Sequence, residues 1–377
     1  MGELPPYSIG FQPRAGCAGR GAFSFWYTRI LRTMTGLYAR WIDRWERKLA
    51  TRDTNRVVRP FEWGTDWLNA IGFPAMAADP GDPAAALDSF AAQARADSDR
   101  FYRYQTPSDF RLGDGELTFT SPVRSFDPMN NVVHARWFPA REDYGRALVV
   151  LPQWNADANG HLGLCKLLNR FGISALRMTM AYHAERMPKE LERADYHMSS
   201  NIGRTVHAFR QSIIDVRACL DWLEQQGYAR LGILGTSLGS CVAFIATAHD
   251  ARVRTGIFNH VSLYTSDVVW TGLSTQHVRK GFGETVTQDD LRRYWSVISP
   301  AVYLERMRDR HIHSLLVWAR HDSSFLPVYS RQVLRSYREM ALPHKVLTLP
   351  CGHYTTGRFP FNWMDGLAMC RFAAQRL

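Results

Sequence analysis

The sequence predicts a mainly parallel α/β sheet with helices on both faces. Short β-rich runs appear after about residue 111, and the later ones alternate with segments of helical pattern. Two hairpin-like strands come first and strands separated by helices follow, which is the order that a parallel sheet needs because its connections must cross over. The 377 residues are enough for one large domain or two modest ones.

The first predicted element is a basic amphipathic helix over residues 23–50. Its apolar residues recur at steps of three and four and would form one stripe, namely Trp26, Ile30, Met34, Leu37, Trp41, Trp45 and Leu49. Two interpretations follow from this pattern. The helix packs its stripe on its own domain, or it lies in a membrane interface with the tryptophans on the lipid side.

The next part of the chain is mixed. "FPAMAADPGDP" (73–83) is a turn region, and residues 84–104 are predicted to form a helix. The change of texture near residue 111 predicts a basic, mainly helical N-terminal extension over residues 1–110. An α/β domain over residues 111–377 follows it.

Eight strands and five helices are predicted in the second part. The strands are placed at 115–123, 130–140, 146–152, 172–180, 229–235, 253–259, 313–319 and 344–350. The helices are placed at 161–171, 206–227, 238–250, 330–340 and 363–375. Active sites of such sheets lie beyond the carboxyl ends of the strands. A candidate catalytic residue should therefore follow a strand directly.

The formal net charge of +11 is unevenly distributed. Residues 1–60 hold eleven basic and four acidic side chains, so this segment contributes +7. Such a charge attracts anionic surfaces. No nucleic-acid motif is found, so no nucleic-acid partner is expected, and an anionic membrane surface is the candidate partner of the N-terminal helix.

Location, cofactors and metals are treated as expectations. No signal peptide or apolar run of about 18–20 residues is found, which predicts a cytoplasmic protein, peripheral to a membrane if the N-terminal helix binds one. Six scattered cysteines indicate neither disulfides nor a zinc site. His311 and His313 lack acidic or sulfur partners nearby, so no metal and no cofactor are expected.

The candidate nucleophile is Ser237 in "LGILGTSLGS" (231–240). A buried strand that turns at once into an apolar helix strains the corner residue, and Gly235 and Gly239 remove the Cβ atoms that would collide there. The serine oxygen then projects above the sheet at a helix N-terminus, which favours developing negative charge. Here the sequence resembles the α/β-hydrolase superfamily over about residues 115–377.

The resemblance implies that the catalytic residues follow in the order serine, acid, histidine. Asp322 in "SLLVWARHDSSFLP" and His353 in "KVLTLPCGHYTTG" both come just after predicted strands. The expected roles are Ser237 as nucleophile, His353 as general base and then acid, and Asp322 as the group that orients the imidazole. Two alternatives stay open, because Asp322 could instead cap the following helix and Asp267 could be the acid.

Acyl transfer also needs donors for the oxyanion. The backbone N–H of Leu238 is expected to be one donor. The other should come from the loop after "ALVVLP", where Gln153 or Trp154 stands in place of the His-Gly motif of many family members.

The loop "MAYHAERMPKE" (180–190) brings three polar residues to another strand end. Tyr182, His183 and Arg186 are candidate substrate-binding residues, with Arg186 binding a carboxylate or phosphate. A structural ion pair is the alternative for Arg186. Together with "ALVVLPQWN" and "DWLEQQGYARLGILGTSLGS", this loop is similar to the abhydrolase-domain-18 type, some members of which act on phospholipid acyl chains.

The sequence therefore predicts a serine hydrolase of carboxylic esters, with lipid or phospholipid acyl esters as the sharper version. Two alternatives remain open. One is an α/β-hydrolase-fold protein used for binding or scaffolding, and the other is an acyl-peptidase or amidase with the same three residues. The stretch at about 260–300 is predicted to be a small cap-like insertion that contributes to an acyl pocket.

Overall fold

The computed structural model describes residues 36–76 and 81–377. Its centre is a nine-stranded sheet in the order β1-β2-β3-β5-β4-β6-β7-β8-β9. The strands are β1 (Arg111–Gly113), β2 (Glu116–Thr120), β3 (Val132–Phe138), β4 (Arg146–Leu151), β5 (Ser174–Met178), β6 (Arg230–Thr236), β7 (Val253–Asn259), β8 (His313–Ala319) and β9 (His344–Leu349).

The sheet is antiparallel at one edge and parallel elsewhere. β1, β2, β3 and β5 pair in antiparallel fashion, whereas β5, β4, β6, β7, β8 and β9 are parallel neighbours. The mainly parallel α/β-hydrolase fold is thus confirmed. The carboxyl ends of the parallel strands meet along one edge of the sheet.

The strand β1 was missed, so the sheet has nine strands instead of about eight. It is three exposed residues long, and its pairing with β2 depends on the turn Asp114-Gly115, where φ is +51° and +74°. Asp-Gly is a strong hairpin signal because both residues accept a positive φ. The signal was present in the sequence, but the strand before it was too short to recognise.

Thirteen helices surround the sheet in the described residues. They are α1 (36–50), α2 (Thr65–Ile71), α3 (Pro83–Ala96), α4 (Ser98–Phe101), α5 (Leu162–Arg170), α6 (Ile202–Gln225), α7 (Leu238–His249), α8 (Thr265–Thr271), α9 (Gln276–Phe282), α10 (Gln288–Tyr294), α11 (Leu304–Asp309), α12 (Pro327–Glu339) and α13 (Phe361–Arg376).

Alternate residues of each strand point into two separate cores. Along β4, Val149 and Leu151 belong to the core that contains the apolar faces of α6, α7 and α12. Leu148 and Val150 belong to the core that contains residues of α1, α5 and α13. Helices on both faces of the sheet, and a helical N-terminal part, are therefore confirmed.

The predicted helix 84–104 is two helices. Asp97 has an extended φ of −125°, and its carboxylate accepts a hydrogen bond from the Arg100 N–H, so it caps α4. An aspartate in this position ends one helix and begins the next because its side chain competes for the backbone N–H groups.

The stripe of the N-terminal helix is only partly correct. Trp26, Ile30 and Met34 lie outside the described residues. In α1 the buried positions are Ile42, Glu46 and Ala50, whereas the side chains of Leu37 and Trp41 are more than half exposed. Steps of four residues drift by about 40° on a helix of 3.6 residues per turn, so a stripe built from such steps winds off the packed face. α1 packs on its own domain and still leaves an apolar surface exposed.

No helix in the described part of the chain is long and apolar enough to cross a membrane.

Candidate active site

Ser237 lies at a sharp turn between β6 and α7, with φ +57° and ψ −123°. A side chain other than glycine seldom adopts a positive φ, so the position is strained. A Cβ on Gly235 would come within 2.2 Å of the Gly239 carbonyl oxygen, and one on Gly239 within 2.4 Å of the Pro152 carbonyl oxygen. The two glycines therefore let the turn close and let the loop after β4 approach Ser237.

The structure brings Ser237, His353 and Asp322 into one hydrogen-bonded chain. Nε2 of His353 is 2.9 Å from Oγ of Ser237, and its Nδ1 is 3.1 Å from Oδ2 of Asp322. An ionised carboxylate only accepts, so Nδ1–H donates to Asp322 and Nε2 accepts from the serine hydroxyl. Asp322 follows β8, and His353 follows β9. This is the arrangement that a general base needs to withdraw the serine proton.

The two oxygens of Asp322 have different contacts. Oδ2 faces His353, whereas Oδ1 accepts from the backbone N–H groups of Ser324 and Phe325 at 2.8 and 2.7 Å. The capping alternative is therefore wrong, because α12 begins at Pro327 and the carboxylate of Asp322 closes the turn before it. The same contacts fix the orientation of the carboxylate toward the imidazole.

Charge stabilises the protonated form of His353. Burial would lower the pKa of His353, but the charge and hydrogen bond of Asp322, together with the charge of Glu46, raise it above the ordinary value. Burial would raise the pKa of Asp322, but the charge of His353 and the contacts of His353 and His260 hold it well below its usual range. The pair is therefore suited to store a positive charge on the imidazole.

A second imidazole, from His260, was not anticipated. It follows β7, has φ +59° and is buried, and its Nδ1 lies 2.8 Å from Oδ2 of Asp322. Burial lowers the pKa of His260, so this ring stays neutral while His353 is the more basic. His260 packs against the ring of His353, and Phe325 stacks on the same His353 ring with 5.3 Å between the ring centres.

The rival acid, Asp267, lies in α8 and has other partners. Its carboxylate accepts from Arg292 at 2.6 and 3.1 Å and from Gln288 at 2.9 Å. It makes no hydrogen bond to a histidine in the described part of the chain. The structure thus pairs Asp322, and not Asp267, with the imidazole.

The three expected oxyanion donors lie on the two segments next to the serine turn, one after Ser237 and the other after β4. Leu238 is the first residue of α7, so its N–H has no partner within the helix. Gln153 and Trp154 line the same pocket as Ser237. The indole of Trp154 is fixed by a 3.0 Å hydrogen bond to the Ala194 carbonyl and by stacking on His277. The loop that was expected to complete the hole is thus held next to the nucleophile.

A pocket of about 1040 Å³ opens above Ser237 and His353. His161 and Asp365 line this pocket and were not predicted from the sequence. His161 contacts the hydroxyl of Thr236 at 2.9 Å, and burial lowers its pKa to about 4. Asp365 accepts a 2.7 Å hydrogen bond from the Asn259 amide, and burial raises its pKa to about 7. No motif marked these residues, because each lies on a different element.

Tyr182, His183 and Arg186 do not reach this pocket, so their prediction as substrate-binding residues is wrong. Arg186 is fully buried, pairs with Asp215 at 2.9 Å and donates to the carbonyls of Asn130 and Thr179. The Tyr182 hydroxyl contacts Asp127 at 2.9 Å, and His183 contacts the Ala181 carbonyl at 2.8 Å. All three side chains are buried, and the structural ion pair is the correct interpretation of Arg186.

The insertion at about 260–300 is helical and consists mainly of α8, α9 and α10. Ser274 lines the pocket, and His277 supports Trp154. The segment therefore contributes to the wall of the site. Whether it works as a cap stays a prediction.

One further residue reaches the site from α1. The carboxylate of Glu46 contacts the loop that carries His353 and the residue that follows Asp322. It was missed because it lies among exposed basic residues, where an acidic side chain is ordinarily part of a solvated face.

A group of possible metal ligands overlaps the same site. His260, Asp322 and His353 offer ligand atoms within 4.8 Å of one another. Nε2 of His353 faces Ser237, so only Nδ1 of this ring points to the group. The hydrogen bond between His353 and Asp322 occupies the two ligand atoms that a metal ion would need from these residues.

Known proteins resemble this chain in fold. The family described as "Alpha/beta hydrolase domain containing 18" matches residues 162–313, from α5 to the start of β8. An acetyl xylan esterase from a Paenibacillus species has a similar structure, with a TM-score of 0.55 and 14% identity, covering 82% of this chain and 99% of that one. Another, from a Thermoanaerobacterium species, has a TM-score of 0.51 and 16% identity, covering 87% and 97%.

An acylaminoacyl peptidase from Pyrococcus horikoshii is also similar. Its TM-score is 0.51 at 11% identity, and the match covers 71% of this chain and 48% of that one. No curated protein sequence matches the chain. Identities this low establish the fold and not the substrate.

The sheet, the strained serine turn and these matches establish the α/β-hydrolase fold for this chain. The matched segment is similar to the abhydrolase-domain-18 type, as the sequence motifs predicted. The description of that family names a hydrolase domain, and the similar structures are esterases and a peptidase of the same fold.

Proposed function

We propose that the protein is a serine hydrolase that cleaves carboxylic esters through an acyl-enzyme on Ser237. The observation that carries the proposal is the chain from Ser237 through His353 to Asp322, set at a strained turn that faces a pocket. Position and access support an activated serine, since the base lies within hydrogen-bond distance of Oγ and both residues line the pocket.

Each residue has a defined step in this mechanism. Nε2 of His353 takes the proton of Ser237 as Oγ attacks the ester carbonyl. The N–H of Leu238 and that of Gln153 or Trp154 stabilise the tetrahedral oxyanion, and the N-terminus of α7 adds a favourable dipole. The imidazolium, stabilised by Asp322, then protonates the leaving alcohol. A water molecule activated by the same base releases the acid and restores Ser237.

The test is the Ser237→Ala variant with a chromogenic short-chain ester and a fluorophosphonate probe. Loss of the nucleophile should lower turnover by at least about 10³-fold and abolish labelling. Ser89→Ala, which changes an exposed serine of α3, is the matched control and should be labelled like the wild type. Full labelling of the Ser237→Ala variant would remove Ser237 from the mechanism.

Two other function classes are outcomes of the same experiment. A wild-type protein that neither turns over the ester nor reacts with the probe would point to a binding or scaffold protein. The same three residues can serve an ester or an amide leaving group, so the two substrates must be compared directly. An acyl-peptidase would cleave an anilide faster than the ester of the same acyl group. The polar residues that line the pocket do not distinguish an esterase from an acyl-peptidase or a binding protein.

A more specific form of the proposal is that the substrates are lipid acyl esters at an anionic membrane surface. It is supported by the exposed Leu37 and Trp41 of α1 and by Arg40 and Arg44 on the same helix. Phe359 and Trp363 are also exposed, and Trp363 lines the pocket. Exposed aromatic and basic side chains together favour an interfacial position.

Point variants suit this question better than removal of the N-terminal segment, because Glu46 and Leu49 of α1 belong to the site. The Leu37→Ser/Trp41→Ser double variant should bind sedimented anionic liposomes more weakly than the wild type. Equal sedimentation of the two proteins would dispose of the membrane surface. Hydrolysis of a soluble ester should be unchanged.

A further inference from the structure

Glu46 is a buried acid on a helix whose other charged residues are exposed. Only 1% of its surface is accessible, whereas its neighbours Arg47 and Lys48 face solvent. No lysine, arginine or histidine in residues 36–76 and 81–377 forms an ion pair with it. A carboxyl group buried without a cation must find hydrogen-bond donors, because its desolvation is otherwise uncompensated.

The donors come from the two loops that carry the acid and the base. Oε1 and Oε2 accept from the Tyr354 N–H at 3.1 and 3.0 Å, and Oε2 accepts from the N–H and hydroxyl of Thr355 at 3.0 and 3.1 Å. Oε1 also accepts from the Ser323 hydroxyl at 2.8 Å. Tyr354 follows His353 in the chain, and Ser323 follows Asp322. One carboxylate therefore joins the backbones on which both groups stand.

The fit of this carboxylate explains the glycine before the histidine. A Cβ on Gly352 would lie 2.4 Å from Cδ and Oε2 of Glu46 and 2.6 Å from its Cγ. Gly352 also donates its N–H to Thr355 Oγ1 at 2.7 Å, which directs that hydroxyl toward Glu46. Only glycine leaves room for the side chain from α1, so Gly352 and Glu46 depend on each other although they are far apart in sequence.

We propose that Glu46 is a positioning residue that fixes the His353 loop against the Asp322 loop and so sets the geometry of the acid–base pair. This inference rests on the proposed function of the site. It makes α1 part of the hydrolytic machinery and not only a surface helix. Misplacement of a catalytic group by about 1 Å lowers the rate by about 10²-fold, so the hydrogen bonds of Glu46 carry a measurable share of catalysis.

Glu46 also acts on His353 through its charge. The polar groups that contact the imidazole are Asp322 after β8, His260 after β7, Ser237 after β6 and Tyr354 on the same loop. Glu46 binds the backbone next to the imidazole and acts on it through its charge. Of these, Asp322 and Glu46 raise the pKa of His353, whereas burial lowers it. Removal of the Glu46 charge should therefore lower the pKa of the base as well as loosen its loop.

The experiment compares Glu46→Gln with the wild type in kcat, KM and the pH profile of kcat/KM. The glutamine keeps the volume but places an NH2 group against N–H and O–H donors. We expect kcat to fall by about 10–100-fold with KM changed less than about 3-fold, because the side chain of Glu46 is not among those that line the pocket and the main effect is on the position of the base. The acidic limb of the profile should move to lower pH. A merely structural role for Glu46 would reduce the folded fraction without moving that limb.

Asp43→Asn is the matched control. Asp43 lies one turn before Glu46 on α1, half-exposed, and contacts His321 instead of the loop of His353. Its replacement should leave kcat and the pH profile as in the wild type. A Glu46→Gln variant with the same kcat and profile as Asp43→Asn overturns the proposal.

A second readout separates this inference from the proposed function. Selective ¹⁵N-histidine labelling allows the titration of His353 to be followed by NMR without turnover. A lower pKa of His353 in Glu46→Gln supports the positioning role even where the wild type hydrolyses no ester, and an unchanged titration refutes it. Should Glu46→Gln fail to fold, Ser323→Ala/Thr355→Val removes two of the donors and should produce a smaller decrease in kcat in the same direction. Wild-type kcat in that variant also counts against the proposal.

Discussion

Replacement of Asp322 by asparagine tests the division of labour between its two oxygens. Oδ1 holds two backbone N–H groups and Oδ2 holds His353. Asparagine has one oxygen and one NH2 group. The oxygen must remain on the N–H groups of Ser324 and Phe325, because an NH2 group there would face two donors. The NH2 group therefore turns toward His353.

The consequence is a change of tautomer. Nδ1 of His353 must then accept a hydrogen bond, so Nε2 carries the proton and points it at Ser237. A protonated Nε2 cannot take the serine proton. The corresponding change in a serine protease lowers kcat by about 10⁴-fold, and we expect about the same here, or about 5.5 kcal/mol at the transition state.

Stability separates asparagine from alanine at this position. Asp322→Ala leaves two buried N–H groups unpaired, each of which costs about 1–3 kcal/mol in unfolding free energy. Asp322→Asn keeps both hydrogen bonds and should denature close to the wild type. Both variants should be inactive, but only the alanine variant should lose several kcal/mol.

The assay is kcat/KM for a chromogenic ester together with urea denaturation of each variant. Asp267→Asn is the control, because it changes a buried aspartate in the neighbouring insertion that makes no contact with a histidine. Its kcat/KM should stay within about 3-fold of the wild type. Less than a 10-fold loss in Asp322→Asn, or a larger loss in Asp267→Asn, would refute the assignment of the acid.

Two predictions concern pH. His353 must be neutral to act as a base, and its pKa is raised. In a pH profile, kcat/KM should therefore rise with pH through a limb above the ordinary histidine pKa of about 6.5. A limb below about pH 6 contradicts this prediction. Asp365 has a folded pKa of about 7 against about 3.9 unfolded, so it destabilises the wild type progressively from pH 4 to 7 and constantly above that. Asp365→Asn should match the wild type in unfolding free energy at pH 4 and exceed it by about 4 kcal/mol at pH 8, whereas a difference independent of pH argues against a raised pKa.

Local sequence patterns predicted the fold and the three candidate residues Ser237, Asp322 and His353. The strands and helices after residue 111 follow the apolar periodicity, and their order dictates a parallel sheet. Ser237, Asp322 and His353 could be proposed because each lies within a few residues of a strand end, and parallel strands end at one edge of the sheet. A glycine on either side of Ser237 marked the turn because a Cβ there would clash.

A position after a strand end does not by itself indicate a functional residue. Tyr182, His183 and Arg186 also follow a strand, but their loop folds into the core and their polar atoms are used by neighbours such as Asp215 and Asp127. Position after a strand is shared by catalytic and structural residues. The direction of the loop decides between them, and it depends on contacts with distant segments.

By itself, the sequence determined the class of sheet, the serine turn and the chain order of the candidate nucleophile, acid and base, since these depend on neighbouring residues and on the geometry of parallel strands. Only the tertiary structure decided which buried side chains surround them. Glu46 and His260 stand far from His353 in the chain, and no periodicity connects them to it. Glu46 meets the loop of His353 because a carboxylate buried without a cation needs donors, and Tyr354, Thr355 and Ser323 supply them. His260 meets Asp322 because β7 and β8 are neighbours in the sheet.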